Sequence, residues 1–171
     1  MEEDHKKKQE EALEKRLSGE LPTIDIAGQI FYVDIGMDCL RPKNIFATLG
    51  IQFSEIRKHY SWLEENYVFT YNPKTYESQE VDYTNIHSIP ENLLLVELPS
   101  KRKLDPVGYA RINGYEVNPF VKEVGIRSHF KAKIRPLKAH LLEQQRLDKE
   151  FRKSMQEEDR PSRKRRKGRS L

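Results

Sequence analysis

A chain of 171 residues has the length of one domain, since about 100–200 residues per domain is usual. Apolar residues make up 36% and charged residues 34%, which leaves a substantial part outside any packed core and no stretch near the roughly 18 apolar residues of a membrane span. The net charge of +4 belongs to the C-terminal end: residues 1–20 carry five Lys/Arg against seven Asp/Glu, residues 21–136 fourteen against fourteen, and residues 137–171 twelve against six, so basicity alone says nothing about the body.

The single Cys39 cannot form an intrachain disulfide or a paired-cysteine zinc site, which points to a reducing compartment. The N-terminus "MEEDHKKKQEEALEKRLSGE" has no apolar run of the signal-peptide kind. The expectation is a soluble, cytoplasmic protein with no membrane association.

Residues 1–20 form a charged N-terminal arm, a solvated helix or a disordered segment in which Ala12, Leu13 and Leu17 are too few to make a wide buried stripe. "LPTIDIAGQIFYVDIGM" then reads as a β-hairpin. With Gly28-Gln29 as a two-residue type II′ loop, Ile26 pairs with Phe31 and Ile24 with Val33, and Ile24, Ile26, Phe31 and Val33 share one face. "FSEIRKHYSWLEENY" predicts a short helix capped by Ser54, with Phe53, Ile56, Tyr60 and Leu63 at helical spacing. "VFTYNPKTYESQ" predicts a second hairpin around an Asn72-Pro73-Lys74-Thr75 turn, with Tyr71 opposite Tyr76 and Phe69 opposite Ser78.

"NLLLVELP" reads as a central strand fenced by Pro90 and Pro99. In "LDPVGYARINGY", Asp105 caps a helix, Pro106 takes its first position and Gly114 stops it. "HFKAKIRP" alternates Phe130, Ala132 and Ile134 with Lys131, Lys133 and Arg135, a strand with one wet, basic face. Residues 137–159 turn helical, with Leu147, Phe151 and Met155 at four-residue steps, and residues 160–171 form a basic tail with nothing to bury.

The stretches "IDIAGQIFYVDI", "YNPKTYESQEVDY", "IPENLLLVELP" and "LDPVGYARINGY" resemble a family of uncharacterised bacterial proteins associated with mobile or conjugative genetic elements. The resemblance covers roughly residues 21–136 and implies no activity and no site residue.

Chemistry-bearing patterns are sparse. The five histidines, His5, His59, His87, His129 and His140, have no metal-ligand spacing. No nucleophile elbow, Walker loop or dinucleotide fingerprint occurs, and Asp38 beside Cys39 opposes a reactive thiolate. The expectation is therefore a protein without metal or cofactor, leaning away from an enzyme.

Two surfaces remain. Tyr71 and Tyr76 across the turn, with Lys74 beside them, could stack single-stranded bases, although cross-strand aromatic pairs more simply hold a hairpin together. Arg160, Arg163, Lys164, Arg165, Arg166, Lys167 and Arg169 could neutralise phosphates without regard to sequence.

The sequence thus predicts an α+β domain at 21–136, an antiparallel sheet of β-hairpins with short helices, followed by a long C-terminal helix and a disordered basic tail. Its expected role is a non-enzymatic accessory or binding protein contacting nucleic acid through the tail. The alternatives are an adaptor docking a protein partner on Leu147, Phe151 and Met155, and an enzyme whose site is not visible.

Overall fold

The computed structural model describes residues 1–168, with side chains through residue 158. The fold is α+β, two five-stranded sheets packed face to face with helices at the flanks and a long C-terminal helix.

The first sheet is built from β1 (Thr23–Ile26), β2 (Gln29–Asp34), β3 (Cys39–Pro42), β4 (Ile51–Gln52) and β9 (His129–Lys131), in the order β4-β3-β2-β1-β9. The second is built from β5 (Tyr60–Ser61), β6 (Asn66–Asn72), β7 (Glu77–Ser78), β8 (Leu94–Pro99) and β10 (Lys133–Pro136). Its order is β10-β8-β6-β5, with β7 also on β6. The first sheet is mixed, because β9 runs parallel to β1.

The first hairpin differs from expectation by a slide of its turn. Ala27 and Gly28 occupy the loop at φ 53° and 89°, the two positive values of a type I′ turn, and Ile24 pairs with Phe31 and Ile26 with Gln29. Asp25 stabilises this turn by accepting the Gly28 N–H at 2.8 Å. The slide moves each partner by two residues, and an even shift leaves the faces unchanged: Ile24, Ile26, Phe31 and Val33 are all fully buried.

In the second hairpin the Asn72 carbonyl accepts from Tyr76 N–H at 2.9 Å and the Asn72 side chain from Lys74 N–H at 2.9 Å. Tyr71 therefore faces Ser78 rather than Tyr76, and Phe69 faces Val96 of β8. The predicted Ser54-capped helix is shorter than its periodicity suggested. Helix α2 (Phe53–Ile56) follows Gln52 and gives way to a 3-10 turn and then β5, where Tyr60 pairs with Tyr67. Leu63 is left 95% exposed at the β5–β6 turn.

"HFKAKIRP" is two strands. β9 ends at Lys131, Ala132 still donates its N–H to the Asp25 carbonyl at 2.9 Å, and β10 then joins β8 in the other sheet. One extended segment therefore stitches the sheets together. Between them lies the core, where Phe31 meets Tyr71 edge to face at 6.2 Å and Phe53 meets Tyr67 at 5.6 Å.

Helix α3 (Lys101–Leu104) leads to α4 (Pro106–Asn113), which is capped as predicted. Asp105 accepts the Gly108 N–H, and Gly114 closes the helix at φ 74°. Helix α5 (Val117–Val124) lies in a stretch to which the sequence assigned nothing.

The N-terminal arm is a helix, α1 (Glu2–Leu17), and it is packed rather than solvated. Ala12 and Leu13 join Val107, Val117, Val121 and Ile126 in a second apolar cluster. Arg16 donates twice to the buried carboxylate of Asp105, at 3.0 and 3.1 Å.

Helix α6 (Leu137–Gly168) begins at the expected residue. Leu137 is fully buried with Ile89 and Leu93, and Leu141 packs beside it. Among the described residues no helix is long and apolar enough to cross a membrane.

Candidate nucleic-acid interface

From Arg127 to Arg135 every second residue is basic: Arg127, His129, Lys131, Lys133 and Arg135, with no acidic residue among them. Phe130 and Ala132 are inside, at 7% and 6% exposure, and all five basic side chains are exposed, Arg127 ahead of β9 and the others along β9 and β10, where Ile134, expected inside, is itself 45% exposed on the edge strand. None of the four Lys/Arg takes part in an ion pair among the described residues. Arg127 lies over the Phe130 ring, its guanidinium carbon 5.1 Å from the centroid.

The strand start faces α1 across a cleft of about 320 Å³, continued by a second of about 390 Å³. Lys15, Arg127 and His129 line both, Lys8 and His5 extend the second, and Glu11 and Glu20 are the acidic lining residues. The docking of α1 builds this cleft. Arg16, held on Asp105, brings Lys8 and Lys15 alongside Arg127, which follows both by more than 110 residues in the chain. Local charge is then decided by tertiary placement. The neutral count of residues 21–136 conceals a ridge whose four Lys/Arg form no ion pair among the described residues, although Asp25 is level with Lys131 and Glu97 with Lys133 across the strands.

The aromatic pair expected at the second hairpin is not assembled as a surface. Tyr71 is 1% exposed and belongs to the core, and burial, with Tyr76 second, pushes its phenol above its ordinary range. Its ring has no free face for a base, because the strand period that aligns Tyr67, Phe69 and Tyr71 aims all three inward. Tyr76 packs part-buried against the same core at φ 60°, and Lys74 stands exposed at the turn. The basic side chains Arg160, Arg163, Lys164, Arg165, Arg166, Lys167 and Arg169 lie outside the described residues.

Leu147, Phe151 and Met155 are 50%, 67% and 53% exposed. At 3.6 residues per turn they share about 120° of the helix with the anchored Leu137 and Leu141. Cys39 is buried, and its thiol is held above its ordinary pKa by that burial and then by Asp34. Among the described residues no group of three or more His, Cys, Asp and Glu is placed to hold a metal ion.

Sequence reasoning saw the wet, basic face of "HFKAKIRP" but passed over it as a site. The missed signal was the uninterrupted alternation of five basic residues, which includes Arg127 before the strand proper. Comparison with family models, with curated proteins and with solved structures gave no match to this chain.

Proposed function

We propose that the chain is a non-enzymatic accessory protein that binds nucleic acid through its phosphates, with the Arg127–Arg135 ridge and the α1 cleft as the contact surface. The observation that supports this reading is the five-residue basic alternation, exposed and without ion pairs among the described residues. Side chains two residues apart on an extended strand stand about 6.6 Å from one another, and the five basic side chains follow the segment across its change of sheet at Ala132. Such a row of cations repels itself in the free protein and is relieved by a polyanion, with release of condensed counterions. The seven basic residues between Arg160 and Arg169 extend the same chemistry.

The test is fluorescence anisotropy with labelled oligonucleotides across a salt series, comparing the intact chain, a chain lacking residues 160–171, and Arg127→Glu/Lys131→Glu/Lys133→Glu. The triple variant is expected to lose most binding and to flatten the salt dependence by a log–log slope of roughly 2–3, corresponding to three phosphates. Absence of binding by the intact chain at low salt would overturn the reading. Loss confined to the tail deletion would move the contact from the ridge to the tail.

A second reading, an adaptor for a protein partner, is favoured by one observation. Leu147, Phe151 and Met155 continue the face by which α6 is anchored, yet stand in solvent. Leu147→Ser/Phe151→Ser should leave nucleic-acid binding unchanged and abolish any protein contact detected by crosslinking.

A further inference from the structure

The register of the first sheet sets four outward side chains in one row. His129 on β9 is level with Thr23 on β1, Thr23 with Tyr32 on β2, and Tyr32 with Arg41 on β3. Their chain neighbours Phe130, Ile24, Phe31 and Leu40 point into the core, which fixes the row on the outer face. At about 4.8 Å between strands, the row extends roughly 14 Å from His129 to Arg41.

These side chains hold one another. Thr23 Oγ1 lies 2.7 Å from His129 Nδ1. The Arg41 guanidinium sits over the Tyr32 ring, 5.3 Å from its centroid, while its Nη2 donates to Asp34 Oδ2 at 3.0 Å. Asp25, the acidic residue beside Lys131 on this face, is tied to the Ala27-Gly28 turn through its bond from Gly28 N–H.

We infer that this face takes single-stranded nucleic acid, with bases stacking on the Arg41–Tyr32 layer and on the His129 ring while the backbone follows Arg127 and Lys131. The inference rests on the nucleic-acid reading above and narrows it to an unpaired strand. Aromatic rings and guanidinium planes on an open sheet are the groups that stack on splayed bases. A duplex keeps its base faces within its own stack and presents phosphates alone to such a surface. His129 also lines the α1 cleft, so the stacking row and the basic ridge meet at one residue. Charge complementarity sets the path, because the cations stand along β9, where a backbone crossing the row would leave the sheet.

The test compares a labelled 12-nucleotide thymidine strand with a hairpin duplex of equal charge, both at fixed low salt. Tyr32→Ala should weaken single-strand binding by roughly 5- to 150-fold, the range carried by stacking one base, and leave duplex binding unchanged. Tyr32→Phe should restore it, since the ring and not the hydroxyl is used. A Tyr32→Trp variant in a Trp62→Phe background supplies a second readout, its indole emission quenched by the single strand and not by the duplex. Equal loss on both ligands, or no loss and no quenching, overturns the stacking row while the ridge reading stands. If Arg127→Glu/Lys131→Glu/Lys133→Glu also leaves both ligands bound, the ridge reading falls independently.

Discussion

Helices α1 and α6 begin from similar material and end in opposite circumstances. Each is highly charged, and each has a polar stretch with three apolar side chains: Ala12, Leu13 and Leu17 in α1 and, beyond the first turns at Leu137–Leu142, Leu147, Phe151 and Met155 in α6. By side-chain size α6 has more to bury, yet its three residues are at least half exposed, whereas α1 is docked. What differs is the surface on offer. Small Ala12 lets α1 approach Val107 and Val121 closely, and Arg16 reaches a carboxylate that is 1% exposed. Helix α6 touches the body only through its first turns, at Leu137 and Leu141, and then runs past the edge formed by β10. Amphipathic strength in a sequence therefore does not rank helices by docking; the availability of a complementary surface does.

The sharpest way to break this contrast is Arg16→Ala. It leaves the buried Asp105 carboxyl group without its guanidinium partner, and removal of one member of a buried pair costs about 3–5 kcal/mol. Chemical denaturation should show that loss, and a change below about 1 kcal/mol would mean that α1 is not held on the body in solution.

Next in size is a pair of substitutions along α6. Leu137→Ala should cost about 2–5 kcal/mol as a core truncation, while Phe151→Ala should stay within about 0.5 kcal/mol of the parent. Equal losses at the two positions would show that α6 packs along its length, and the adaptor reading would lose its surface.

The smallest effect tests how tightly the α1 latch is built. A Cβ at Gly108 would run into the Asp105 carboxylate and come within 3.3 Å of Arg16 Nη2, so Gly108→Ala should cost about 1–3 kcal/mol by overpacking. Combined with Arg16→Ala the two losses should fall short of their sum, because both act on the same carboxylate. Full additivity in the double-mutant cycle would separate the glycine from the latch.

The stacking row and the ridge divide along a similar line. Lys131, Lys133 and Arg135 were legible as an exposed strand face because alternation is local, whereas the partnership of Arg127 with Lys8 and Lys15 depends on where α1 docks. The row His129, Thr23, Tyr32 and Arg41 was not legible at all. Thr23 and His129 are 106 residues apart, and nothing in either neighbourhood specifies their parallel pairing.

By itself the sequence determined what short-range stereochemistry controls. The Asp105 cap, Pro106 and Gly114 set the ends of α4, and period-two alternation chose the buried face of the first hairpin even though its turn slid from Gly28-Gln29 to Ala27-Gly28. Each of these rests on torsions and hydrogen bonds within a few residues. Only the tertiary structure decided that Tyr71 would be core rather than surface, that the strand after Ser128 would change sheets at Ala132, and that one charged helix would dock while the other projected. Those outcomes depend on which distant surfaces meet, and the closure entropy and buried area of such meetings are properties of the whole chain, written in no local stretch of it.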